Sequence, residues 1–229
     1  MKTETQNNPL DVNMARRSFL RYAGAGVAGV GLLTAASCHK DKIVTNTGID
    51  IGSGDFGILN FAYALEQLEA AFYVQVIASP YSGITVNEQS RLTDIRDHEV
   101  CHREFFKAAL ATNAIVGLTP DFSSINFSDR TSVLNAAKAF EDTGVTAYNG
   151  SGYLIQSSAY LGLAGKIVSV EARHASYIRD LISPGSFADS TVLDANAMDQ
   201  PKTIAQVLPI ANGFLKTKVS ASNYGYVAS

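Results

Sequence analysis

His98-Glu99-Val100-Cys101-His102 and Val170-Glu171-Ala172-Arg173-His174 each contain a Glu-x-x-His pair inside a stretch of helical periodicity. The 229 residues hold only eight glutamates and four histidines, too few for two such pairs to be expected by chance. Residues three apart share a helix face, so each pair aims a carboxylate and an imidazole the same way. Two such helices facing one another, with a carboxylate from each of two more, form a carboxylate-bridged site for two metal ions in a four-helix bundle. The rest of the chain must then supply two further helices, each with an inward glutamate.

It does. One helical stretch covers about 55–79 and stops at Pro80. A second starts at Thr85-Val86-Asn87-Glu88, a capping-box pattern, and runs to about 112. A third covers about 128–148, ahead of Asn149-Gly150-Ser151-Gly152, and a fourth about 154–182, ahead of Ser183-Pro184-Gly185. Their inward seams follow a 3–4 spacing. These seams read Leu59, Ala62, Glu66, Glu69, Tyr73 and Val76; Leu92, Ile95, Glu99, His102, Phe106 and Ala109; Leu134, Ala137, Glu141, Gly144 and Tyr148; and Ala164, Ile167, Glu171, His174, Ile178 and Leu181. Each has a glutamate near its middle.

Burial energetics give that pattern its meaning. An isolated buried carboxylate costs several kcal/mol or takes up a proton, and four in one layer repel one another. Two divalent cations offset four carboxylates and bind both imidazoles. This donor set suits iron or manganese, and zinc also fits. The expected ligands are Glu66, Glu99, His102, Glu141, Glu171 and His174. Glu69 could replace Glu66, supplement it or stand outside the ligand set. Tyr73 and Tyr148 lie seven residues beyond Glu66 and Glu141, placed either to hydrogen-bond a ligand carboxylate and supply an electron, or to serve as core aromatics. His98 points about 100° away from Glu99 and reads as a rim residue, and His39 as inert. Asp94, Asp97 and Asp180 either orient the ligand histidines or are solvated helix charges. Arg173 and Arg179 are expected on the outer face of the fourth helix.

The connections set the topology. Short turns join the first helix to the second and the third to the fourth, making each pair antiparallel neighbours. About 15 residues, 113–127, separate the second from the third. Extended at about 3.3 Å each they reach ~50 Å, and a 24-residue helix is only about 36 Å long. The link can therefore run the full length of the bundle. The expected fold is all-α, a four-helix bundle with one long crossover between helices 2 and 3.

The bundle is expected over 55–182, behind a segment that is not part of it. Ala15-Arg16-Arg17-Ser18-Phe19-Leu20-Arg21 looks like a twin-arginine export signal. The apolar run 22–37 is shorter than the ~20 residues of a spanning helix and suits the apolar region of such a signal. It ends in Thr34-Ala35-Ala36-Ser37-Cys38, which resembles a lipoprotein cleavage site, although Ala35 stands where Leu is usual. Residues 1–38 thus read as signal, Cys38 as a lipid anchor and 39–54 as a polar tether. Cys101 is then a lone thiol in an oxidising compartment, small and buried, the alternative being a Cys38–Cys101 disulfide. Net charge is −3, so no polycationic surface points to nucleic acid. Residues 183–229 read as an irregular extension, with a short helix in 203–215 interrupted by Pro209.

The strings Ile58-Leu59-Asn60-Phe61-Ala62-Tyr63-Ala64-Leu65-Glu66-Gln67-Leu68-Glu69-Ala70-Ala71-Phe72-Tyr73, His98-Glu99-Val100-Cys101-His102 and Val170-Glu171-Ala172-Arg173-His174 resemble the ferritin-like superfamily. The resemblance is closest to exported ferritin-like domain proteins related to plant and bacterial desiccation-related proteins. It implies a di-iron or related centre on the six residues already chosen. Glu66 matches the glutamate of a Glu-x6-Tyr pattern, and Glu141 the lone glutamate of the third helix. The superfamily includes iron stores, ferroxidases, peroxidases and oxygenases. The expected function is an exported di-metal protein acting on oxygen or peroxide in the cell envelope, as a ferroxidase or peroxide scavenger. The alternative is a non-catalytic, metal-stabilised envelope protein for stress or desiccation tolerance.

Overall fold

Polar side chains mark where the helices begin. Thr85 accepts from the Glu88 amide at 3.1 Å while Glu88 accepts from the Thr85 amide at 3.0 Å, the reciprocal cap expected at α2 (Val86–Leu110). Asp129 caps α3 (Arg130–Ser151) by accepting from Ser132, and Ser157 caps α4 (Ser158–Ile182). With α1 (Gly54–Ala78) these helices form the bundle. The computed structural model describes residues 48–228. The export signal, His39, the Cys38 anchor or disulfide and most of the tether lie outside them. No helix among the described residues is long and apolar enough to cross a membrane.

The link between α2 and α3 runs along α1. Asn60, only 3% exposed, accepts from the Ile115 amide and donates to the Asn113 carbonyl. About two turns on, Gln67 accepts from the Leu118 amide; further along, Phe122 packs edge-on against Phe72, and past the helix the Ser82 amide meets the Ser128 carbonyl. These contacts climb α1 from 60 past its C-terminus, so the link is the expected long crossover. Its cover explains why α1 is buried almost continuously from Gly57 to Ala70; a helix apolar on all sides has to be enclosed.

The terminal segments are more ordered than their composition implies. Residues 48–51 are not tether: β1 (Ile49–Asp50) pairs in parallel with β2 (Val219–Ser220), and Ile51 is 1% exposed. The extension holds α5 (Ile204–Asn212), which passes through Pro209 without a break. Pro209 is exposed and Ala205, whose carbonyl loses its helical partner, is half-buried on the same face, where water can reach it. The extension lies across α3, where the Lys202 amide donates to the Thr146 carbonyl at 2.9 Å. A Cβ on Gly150 would sit 1.9 Å from the Lys202 carbonyl oxygen. Gly150 is therefore a crossing point and not a stop, and α3 continues to Ser151.

Candidate metal centre

Glu66 on α1, Glu99 and His102 on α2, Glu141 on α3 and Glu171 and His174 on α4 meet in one layer. Their donor atoms form two groups, one of Glu66, Glu99, His102 and Glu171 and the other of Glu99, Glu141, Glu171 and His174, with all atoms of a group within 4.8 Å of one another. Glu99 and Glu171 belong to both. The layer is dry: Glu66, Glu99 and Glu141 are fully buried, Glu171 and His174 nearly so, and the His102 side chain is 13% exposed.

Each imidazole Nδ1 faces three carboxylates. His102 Nδ1 lies 2.7 Å from Glu171, 3.5 Å from Glu66 and 3.7 Å from Glu99. His174 Nδ1 lies 2.7 Å from Glu99, 3.2 Å from Glu171 and 3.6 Å from Glu141. Yet His102 Nδ1, both Glu99 oxygens, Glu66 Oε2, Glu141 Oε2 and Glu171 Oε1 make no aligned hydrogen bond. The atoms are close without being aimed at one another; they converge on the spaces between them. Unsatisfied buried polar atoms are rare and costly, and six in one layer fit a pair of bound cations.

Without cations the charges compete for protons. Burial, then the charge of Glu171, pushes Glu99 well above the usual carboxylate range and raises Glu66. Glu141 is also raised, by burial above all. Burial opposes an imidazolium at 102 and 174, but the facing carboxylates outweigh it: His102 is pushed far up and His174 up to about 12. Glu171 is buried too, yet contact with both imidazoles draws it down to about 2.

The tyrosines cross the bundle. Tyr73 donates to Glu141 and Tyr148 to Glu66, each at 2.5 Å. On one helix the partner numbers rise as they fall on the other, which is antiparallel packing of α1 on α3. Each tyrosine thus grips the carboxylate of the opposite helix, not the one two turns away on its own. Glu69 is buried beside the layer but belongs to neither group. Its carboxylate fits against Gly144, where a Cβ would come within 3.0 Å of Oε1. Burial, then the charges of Glu99, Glu66, Glu171 and Glu141, raises it well above its usual range.

Three outer carboxylates are solvated helix charges, one of the two roles expected of them, and two other residues, Arg179 and Cys101, depart from expectation. Asp94 pairs with Arg91, Asp97 with Arg96, and Asp180 accepts from the Gly185 amide; none of these bonds reaches a ligand histidine. Arg179 does not cover an outer face: it is 3% exposed, held by Asp142 at 2.8 Å and by Asp189 and Thr191 of the extension. Arg173 is exposed as expected. Cys101 is exposed, not buried, and is free among the described residues, because it lies on the face of α2 turned away from the seam.

His98 is exposed at the rim, as expected, but it makes a contact with His174 that the sequence did not announce. Its Nδ1 lies 2.9 Å from His174 Nε2, and the rings stack at 5.1 Å and 10°. Burial, then repulsion from His174 and His102, holds His98 below its usual value. The available signal was its place one turn before His102, on the flank of the seam.

A family profile described as a ferritin-like domain matches residues 54–184. Among curated proteins none matches the chain. The profile covers more than half of the chain, and its span coincides with the four helices that carry the carboxylate layer. The chain belongs to the ferritin-like domain family.

Proposed function

We propose that this is an exported di-metal protein that binds two divalent ions, iron in preference to manganese or zinc, and uses them to reduce dioxygen or peroxide in the cell envelope, with ferroxidase turnover as the simplest outcome. The observation that carries this reading is the convergence of six unsatisfied donor atoms in a dry layer. Glu66 and His102 would hold one ion, Glu141 and His174 the other, and Glu99 and Glu171 both. A redox-active pair bound there supplies electrons to an oxidant, chemistry that no side chain of the layer offers by itself.

The residues around the layer have definable work. Tyr148 occupies Glu66 Oε1 and Tyr73 occupies Glu141 Oε1, which leaves Oε2 of each facing the centre. His98 fixes the proton of His174 on Nε2 and so leaves Nδ1 as the donor. Glu69 stands buried beside the layer, against Gly144. The apolar seams exclude water and strengthen every charge interaction inside.

Adding ferrous ion to the anaerobic metal-free protein and then admitting air tests the reading. The expected result is oxygen uptake that follows the iron added, up to two ions per chain. No uptake, together with tight retention of zinc, would identify the metal as structural. Export and anchoring are read from 1–38. In fractionated cells of the native host the protein is expected with the membranes, and a Cys38→Ser variant in the soluble fraction; soluble wild-type protein counts against the anchor.

A further inference from the structure

The two ends of the bundle are filled differently. Beyond Tyr73 and Glu141 the core is plugged by rings: Phe72 packs on Phe140 at 5.0 Å, on Phe127 at 5.8 Å and on Phe122 at 5.9 Å, and Phe214 of the extension closes on Phe140 at 4.8 Å. At the opposite end, the corresponding space is a small pocket, partly open to solvent, that leaves about 20 Å³ for the centre of a water-sized molecule.

Leu59, Ala62, Phe106, Tyr148, Leu163 and Ala164 line this pocket. Its floor adjoins the carboxylate layer. Ala62 is one turn before Glu66 and Phe106 one turn after His102, while Tyr148 donates directly to Glu66. The hydroxyls at the floor are committed within the protein, that of Tyr148 to Glu66 and that of Ser151 to the Ala147 carbonyl. A water molecule needs two to four polar partners to settle in a cavity, whereas apolar cavities stay dry and take up xenon or benzene.

We infer that this pocket is a binding site for a small apolar molecule, through which dioxygen rather than peroxide reaches the Glu66–His102 half of the layer. The choice of oxidant rests on the redox function proposed above; the binding site does not. Dioxygen has no hydrogen bonds to lose on leaving water, whereas hydrogen peroxide gives up several on entering walls that are mostly apolar and whose hydroxyls at the floor are already committed.

Two measurements test it. Crystals of the metal-free protein pressurised with xenon should show xenon between Ala62, Phe106 and Ala164. An empty pocket, or one holding ordered water, would overturn the site. An Ala164→Phe variant, filling the pocket from the half-buried start of α4, should exclude xenon and bind metal at the wild-type ratio. Oxidation of its bound ferrous ion by dioxygen should slow by about tenfold, as expected when an approach path sets the rate, with oxidation by peroxide unchanged. Equal slowing with both oxidants, or with neither, would overturn the route. If neither oxidant reacts even in the wild type, the redox function fails, and the xenon site is judged on its density alone.

Discussion

Glu99 and Glu171 stand at the middle of the layer, because each lies near both imidazoles and belongs to both donor groups. The same crowding makes the metal-free layer sensitive to pH. His102 and His174 bind protons more tightly folded than unfolded, so their contribution to stability is complete below the unfolded value of 6.5 and is lost as pH rises toward the folded value, about 12 for His174. The raised carboxyls of Glu66, Glu99, Glu141 and Glu69 act in the same direction from 4.5 upward. Glu171 and His98 oppose them: the contribution of Glu171 is present above 4.5 and lost as pH falls toward about 2, and that of the depressed His98 is complete above 6.5 and lost as pH falls below it. The melting temperature of chelator-treated protein should therefore fall as pH is raised above 6.5, and saturating metal should flatten that slope by displacing the protons. A slope of the opposite sign would mean that the layer does not hold these protons. For His98→Ala, loss of the bond that fixes His174 should weaken metal binding at that side by about 10–100-fold, leaving the His102 side intact in a cobalt titration. The convergence of the six side chains was legible at this scale, for four of them because Glu-x-x-His spacing maps directly onto one helix face and for Glu66 and Glu141 because they fall near the middle of apolar seams. The role of His98 was not, because the bond to His174 depends on how α2 faces α4.

At the scale of elements, the sequence identified helices better than it identified where one crosses another. The Thr85–Glu88 cap, the seams and the length of the crossover were all readable, because each is a local pattern or a simple reach. Gly150 was misread as a helix stop, since nothing near it in sequence announces that residue 202 passes over it. A methyl group there would lie 1.9 Å from the Lys202 carbonyl oxygen, well inside contact distance. Gly150→Ala should destabilise the protein by about 1–3 kcal/mol, the usual cost of overpacking. It should also speed proteolysis of the extension before that of the bundle. Unchanged melting and cleavage would show that the crossing is not tight in solution. Arg179 teaches the same lesson: its partners Asp189 and Thr191 lie on a segment whose path over α4 has no sequence signature.

For the molecule as a whole, a near-twofold pattern relates the helix pairs: α1 with α2, and α3 with α4, each give a lone glutamate, a Glu-x-x-His pair and a tyrosine that reaches across. The pattern is broken at its ends, plugged by aromatic rings on one side and open to the apolar pocket on the other. It is broken again by Glu69, which faces Gly144 and has no counterpart on α3. The strap formed by 183–228, joined through the β1–β2 pair to the residues just ahead of α1, bonds to α3 at Thr146, to α4 at Arg179 and to the crossover at Thr119 and Asp121. The account stands on acidic groups brought together to hold metal, and the metal content of purified protein tests it most directly. Measured by elemental mass spectrometry after loading, wild-type protein should carry two ions per chain, and Glu99→Ala, with helicity unchanged by circular dichroism, should lose at least one of them. Full occupancy in that variant, or a wild-type chain that binds none, would contradict it.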